Sequence, residues 1–259
     1  MRSSESKTIN HRPDCRLFIA LALLLLLVTA CGYKGPVRPK LLPVPAAVTD
    51  LQLQQRGNDL LLSWKIPSSN ADGTPLTDLQ EFRIYRMTFD PASDCPDCRD
   101  TSTLLATIAL SYPTPALRYA DHLFYTDRDI LPNQGYLYRV TPVNADRQAG
   151  NPATVRTVLV TPPLVPTGLT AAGLDRQIRL QWQAAPGVSG YALFRTRPGQ
   201  PFPPWPVHSG VLTKTEFNDF AVENGTDYLY AVRSVNEATG GKVESSLSPT
   251  VQVRPGPLH

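Results

Sequence analysis

The sequence predicts an all-β protein: two tandem β-sandwiches behind a short N-terminal leader. Three observations carry that reading. The 259 residues accommodate two sandwiches of roughly 100 residues each, with a short remainder. Proline accounts for 26 of the 259 residues, or 10%, about twice the usual ~5%. An interior proline costs a helix about 3 kcal/mol, so a mostly helical chain is disfavoured. The third observation is that a set of alternating apolar segments occurs twice, in the same order. Apolar residues at 42% suffice for two cores, and only 18% charged residues argues against a solvated, disordered chain.

The chain opens with Arg2, Lys7, Arg12 and Arg16, and then runs almost purely apolar from Leu17 to Val28. That stretch is short for a spanning helix, which needs about 20 apolar residues. A basic start followed by a short apolar core reads as a secretory signal. Val28-Thr29-Ala30-Cys31 looks like a bacterial lipobox. The resemblance implies a diacylglyceryl thioether on Cys31 and signal-peptidase cleavage between Ala30 and Cys31. Acylation then anchors the protein without a spanning helix, each buried CH2 contributing ~0.8 kcal/mol. Gly32 stands where, in that lipoprotein class, aspartate retains proteins at the inner membrane. The expected location is therefore the cell envelope of a Gram-negative bacterium, at the outer membrane. Removing residues 1–30 takes the formal net charge from +3 to +1, too small to suggest a nucleic-acid partner.

Residues 31–45 form a basic, proline-rich tether. Pro36, Pro39, Pro43 and Pro45 favour extended backbone, which at ~3.1 Å per residue reaches roughly 40 Å. The plainer reading is a spacer that lifts the folded part off the lipid. Cys31-Gly32-Tyr33-Lys34-Gly35-Pro36 also resembles a short lipoprotein family that associates with the lipopolysaccharide-assembly translocon. That resemblance makes Lys34 and Pro36 candidate partner-binding residues. It ends at Arg38-Pro39, where the family tends to carry an aromatic pair.

The repeats follow. Ile178-Arg179-Leu180-Gln181-Trp182 alternates strictly, placing Ile178, Leu180 and Trp182 on one strand face. Leu60-Leu61-Leu62-Ser63-Trp64 ends the same way, with Leu62 and Trp64 inward. Phe82-Arg83-Ile84-Tyr85-Arg86 matches Tyr191-Ala192-Leu193-Phe194-Arg195 position by position. Gly135-Tyr136-Leu137-Tyr138-Arg139-Val140 matches Asp227-Tyr228-Leu229-Tyr230-Ala231-Val232.

These residues resemble fibronectin type III domains, an immunoglobulin-like sandwich family. The resemblance implies a core tryptophan on the second strand (Trp64, Trp182) and an aromatic opening the third (Phe82, Tyr191). It also implies a tyrosine corner at Tyr136 and Tyr228, whose hydroxyl reaches back to the backbone across a loop. The expected organisation is a signal peptide over 1–30, a tether over 31–45, one sandwich over 46–162, a second over 163–255, and a tail over 256–259. Thr161-Pro162-Pro163-Leu164 would stiffen the junction. Trp64 to Tyr136 spans 72 residues and Trp182 to Tyr228 spans 46. Of the 26 extra residues, 17 follow the third strand, so long loops are expected there, and long loops are often functional.

Candidate chemistry is sparse. Cys95-Pro96-Asp97-Cys98 sits in the longest insertion. C-x-x-C can be redox-active, half a zinc site or a local disulfide. Zinc wants four ligands at a structural site, and His122, His208 and His259 show no ligand spacing. A redox thiol wants a helix N-terminus or a cation beside it, whereas Asp94, Asp97 and Asp100 surround this pair. The reading that remains is a disulfide, Cys95 to Cys98, pinning a long loop. Asn70-Ala71-Asp72-Gly73 fails as a calcium loop, because Leu79 stands where the bidentate glutamate belongs. Nucleophile-elbow, zincin and phosphate-loop signatures do not occur. No enzyme, metal or cofactor is expected.

Pro201-Phe202-Pro203-Pro204-Trp205-Pro206 cannot pair as a central strand and should cover or blunt a sheet edge. Either Phe202 and Trp205 pack onto their own sandwich, or they form an exposed ridge that binds a partner. The expected role is a lipid-anchored protein–protein interaction or scaffold module, with an unidentified envelope protein as partner. The alternatives are a glycan-binding accessory protein and an envelope-assembly factor that acts through its tether.

Overall fold

The computed structural model describes residues 42–93, 95–238 and 241–257. Ala30, Cys31, Lys34 and Pro36, with the rest of the leader and most of the tether, lie outside the described residues.

In the first sandwich, β1 (Thr49–Arg56), β2 (Asp59–Lys65), β5 (Leu117–Tyr119) and β6 (His122–Asp127) form one sheet, ordered β1-β2-β6-β5. The facing sheet holds β3 (Leu79–Phe89), β4 (Thr103–Ala109), β7 (Gly135–Asn144) and β8 (Ala153–Val158), ordered β4-β3-β7-β8. Alternation fixes which side chains turn inward. Leu60, Leu62 and Trp64 of β2 meet Phe82 and Ile84 of β3 and Tyr136, Tyr138 and Val140 of β7 in a single core. Trp64 meets Phe82 edge to face, with ring centroids 5.6 Å apart, a favoured geometry for an aromatic pair.

The second sandwich repeats this on a smaller scale. β9 (Thr170–Leu174), β10 (Gln177–Gln181) and β12 (Glu216–Asp219) form a three-stranded sheet, ordered β12-β10-β9. Opposite lie β11 (Gly190–Thr196), β13 (Tyr228–Ala238), β14 (Gly241–Glu244) and β15 (Val251–Val253). Ile178, Leu180 and Trp182 pack against Tyr191, Leu193, Tyr230 and Val232. Trp182 meets Tyr191 edge to face, with ring centroids 5.5 Å apart. The described residues are all-β, and both sandwiches are fibronectin type III-like, with the inward tryptophan, third-strand aromatic and corner tyrosine of each in corresponding places.

The insertion after the third strand differs from a simple loop. Part of it is β4, which pairs antiparallel with β3 from Glu81↔Ala109 to Arg86↔Thr103 and buries Ile108 in the core. Thr103–Ala109 is rich in apolar and β-branched residues, so a strand that packs one face is the physical outcome. The turn region at 90–102 precedes β4 and carries the cysteine pair.

Candidate functional site

The sandwiches join edge to edge. β14 pairs antiparallel with β13 in its own sandwich and parallel with β1 of the other, in the register Gln55↔Val243 and Arg56↔Glu244. One sheet thus runs β11-β13-β14-β1-β2-β6-β5 across both, and residues 43–259 make one compact unit. Gly57 allows the close approach. Its N–H donates to the Glu244 carbonyl at 2.7 Å, its φ is +61°, and a Cβ there would stand 2.3 Å from Ser246 Oγ. A side chain at this position would be strained and would collide. The Gln55 amide holds the connecting segment, donating to the Val160 carbonyl at 2.7 Å and accepting from its N–H at 3.1 Å.

An ion cluster sits behind the paired strands. Arg56 Nε lies 3.0 Å from Glu244 Oε2, and Arg233 Nε lies 3.7 Å from the same oxygen. Gln54 Nε2 donates to Glu244 Oε1 at 2.7 Å. Arg56 Nη2 donates to the Pro204 carbonyl at 2.6 Å, and Arg233 Nη1 to the Ser245 carbonyl at 2.5 Å. Both guanidiniums face the Phe194 ring, at 5.7 and 5.6 Å from its centroid. Burial pushes the Arg56 pKa down, with Glu244 opposing. Burial, followed by the nearby Arg56 charge, lowers Arg233 to about 10. Two arginines therefore share one buried carboxylate.

The Pro201–Pro206 segment lies over this cluster as a strap. It forms no strand, as its prolines require. Phe202 is half-buried and packs with Ala192, Phe194 and Val235 of its own sandwich. Trp205 is half-buried and reaches across to the first sandwich, 4.2 Å from the Tyr119 ring and 5.6 Å from Phe124. The two aromatics thus divide: one anchors the strap at home, and the other clamps the neighbouring sheet.

Each sandwich also holds a buried polar triad. Tyr138 donates to Asp127 Oδ2 at 2.7 Å, and Arg86 donates to the same oxygen at 2.9 Å. Tyr230 and Arg195 repeat this on Asp219 Oδ2, at 2.8 and 2.7 Å. The other carboxylate oxygen accepts the N–H two residues on, Asp129 at 3.1 Å and Ala221 at 2.9 Å. The corner tyrosines complete the arrangement. The Leu131 N–H donates to Tyr136 Oη at 2.6 Å and the Glu223 N–H to Tyr228 Oη at 3.1 Å. Sequence reading matched the arginines and tyrosines of the repeats but missed both aspartates. A signal existed: each aspartate precedes its tyrosine by 11 residues.

Cys95 and Cys98 are joined as a disulfide in the 90–102 turn region. Arg156 grips Asp97 at 2.6 Å, and Arg139 pairs with Asp100, so β7 and β8 hold the turn down. Asn70 is buried and donates to Thr74 Oγ1 at 3.0 Å and to the Pro75 carbonyl at 3.2 Å, closing a local turn. Among the described residues, no three His, Cys, Asp or Glu side chains converge in a way that could hold a metal ion.

No family model matches the chain. Over 95 residues it is 30% identical to an amylopullulanase from Thermoanaerobacterium saccharolyticum, covering 34% of this chain and 7% of that enzyme. The chain therefore spans a small fraction of that relative. Among solved structures it is similar to a Fn3-like protein from Clostridium thermocellum, at 33% identity over 38% of this chain and 97% of that one, TM-score 0.31. It is also similar to the FN1–FN3 domains of chicken CNTN1, at 15% identity over 82% of this chain and 68% of that one, TM-score 0.34.

Proposed function

We propose that this fibronectin type III-like chain is a non-enzymatic, lipid-anchored envelope protein that presents a rigid two-sandwich platform to a protein partner. The supporting observation is the β1–β14 pairing. It joins the sandwiches side by side through backbone hydrogen bonds and a buried ion cluster, so surfaces on both are held in fixed register. Such preorganisation lowers the ordering cost of binding a large partner. Cys31 supplies the anchor, and the tether carries Lys34 and Pro36 as a second contact for an assembly partner in the outer membrane.

Two measurements test this. Incorporation of labelled fatty acid should be lost in Cys31→Ala, and the protein should leave the membrane fraction; retention of label rejects the anchor. Crosslinking of the mature lipoprotein in its native envelope should recover a discrete protein partner, and recovery of none rejects the platform. Loss of that partner in a Lys34→Glu/Pro36→Ala variant assigns the contact to the tether.

A glycan-binding accessory role is the second reading, favoured by Tyr119. The residue is 58% exposed and its ring is backed by Trp205, which suits stacking on a sugar face. The short match to an amylopullulanase is in keeping with it. Polysaccharide retention should fall in Tyr119→Ala and in Trp205→Ala; unchanged retention removes this role.

A further inference from the structure

A cleft of about 350 Å3 opens between the sandwiches beside the strap, within the ~300–1,000 Å3 usual for small-ligand sites. Its apolar wall comes from both sandwiches: Leu61, Leu117 and Phe124 from the first, Phe202 and Leu247 from the second. Three arginines, Arg56, Arg128 and Arg233, line the same space, with Asp59 as the acidic residue in the lining. Glu244 neutralises one charge behind it, and Asp59 stands 4.0 Å from Arg128 at the mouth. Three cations against two carboxylates leave one positive charge over, set against a hydrophobic wall. Leu117 is 42% exposed at this opening, on the short strand β5, whose three residues are all exposed.

We propose that this cleft is a binding site for a small amphipathic oxyanion, whose carboxylate or phosphate meets the guanidiniums while its apolar body covers Leu117 and Phe124. Arginine suits the headgroup because its planar fork donates two parallel hydrogen bonds to an oxyanion. Desolvation inside the cleft strengthens that attraction, and covering an exposed leucine adds the apolar contribution. The inference goes beyond the platform role and does not depend on it. A partner protein can be captured whether or not the cleft is filled.

The test is calorimetric titration of the full chain in maltoside micelles, against matched micelle blanks. Four probes separate the contributions: 3-phenylpropionate, phenyl phosphate, 3-phenylpropanol and inorganic phosphate. The expected result is one saturable site for at least one of the two aromatic anions. Binding of the alcohol and of inorganic phosphate should each be weaker by about tenfold or more, the loss of one charge-assisted contact or of the buried ring. The ratio between the two aromatic anions identifies the headgroup. Arg128→Gln, an exposed position, should weaken the anion by about threefold and reduce its salt dependence. Leu117→Ser should weaken it without changing salt dependence. Equal binding of inorganic phosphate means an adventitious ion only, equal binding of the alcohol means apolar adsorption, and either overturns the proposal. So does the absence of saturable heat, or affinity unchanged in both variants, with folding of each confirmed by circular dichroism.

Discussion

Asp127 and Asp219 occupy equivalent places in the two sandwiches, each accepting a tyrosine hydroxyl and an arginine on one oxygen and a backbone N–H on the other. Each carboxylate is almost fully buried. It ties the strand preceding the corner (β6 or β12) to β3 or β11 (through Arg86 or Arg195) and to β7 or β13 (through Tyr138 or Tyr230). Removing it leaves a buried phenol without its acceptor and an arginine without its buried carboxylate, although Arg86 keeps Asp129 and Arg195 keeps the Ala221 carbonyl. Asp127→Ala should therefore destabilise the fold by about 3–5 kcal/mol, the cost of breaking a buried, hydrogen-bonded pair. Chemical denaturation checks this, and Asp219→Ala should cost a similar amount in the second sandwich.

The tyrosines of those triads predict an alkaline limit. Burial, reinforced by the hydrogen bond to Asp127, raises the Tyr138 pKa far above its ordinary value of 10.0. Tyr230 is raised in the same way beside Asp219. A phenol that titrates higher in the fold than in the unfolded chain contributes stability that is complete below the unfolded pKa. That stability is lost as pH climbs from there toward the folded pKa. Tm should hold as pH rises toward 10 and fall steeply beyond it. Replacing both tyrosines with phenylalanine should lower Tm at pH 8 and flatten the alkaline decline; a wild-type profile with no decline above pH 10 contradicts the linkage.

The join between sandwiches should depend on Glu244. Glu244→Gln leaves Arg56 and Arg233 close together with their shared carboxylate gone, at a cost of about 3–5 kcal/mol for an uncompensated buried charge. Gly57→Val acts on the same contact through steric overlap with Ser246 and a positive φ. Small-angle scattering should show an increased radius of gyration in both variants, while the core tryptophans Trp64 and Trp182 keep their buried fluorescence. An unchanged radius would mean that the strap alone holds the pair.

The Cys95–Cys98 disulfide closes so short a ring that its contribution is bounded at about 2 kcal/mol. Cys95→Ser with Cys98→Ser should lower stability by no more than that. Hydrogen exchange should rise in residues 90–102 and stay unchanged in β9–β15. A larger loss, or one that spreads to the second sandwich, would give the turn a structural reach that Asp97 and Asp100 do not explain.

Much of the architecture was legible in the residues. Period-two alternation around Leu62-Ser63-Trp64 and Ile178-Arg179-Leu180 marks the inward faces directly, because one buried face of a strand must be apolar. Tyr136 and Tyr228 stand out because each follows a glycine- and asparagine-containing turn. The join was not legible. It rests on two residue pairs, Gln55↔Val243 and Arg56↔Glu244, that are far apart in sequence, and parallel pairing of that length leaves no periodic pattern. Nor was the division of labour in the strap, since a proline-rich run announces only that it will not pair. Phe202 and Trp205 look equivalent in sequence and diverge only because one faces Phe194 and the other Tyr119.

The order in which the chain emerges gives the β1–β14 contact a further meaning. Strand β1 gains β2 beside it within a few residues, but its other edge waits for β14, which begins only at Gly241. Until then a newly synthesised first sandwich presents a bare backbone ladder, a template for pairing with its neighbours. Truncation before residue 241 would make that vulnerable interval permanent, so a stop codon placed just ahead of β14 should yield aggregates rather than a smaller working protein.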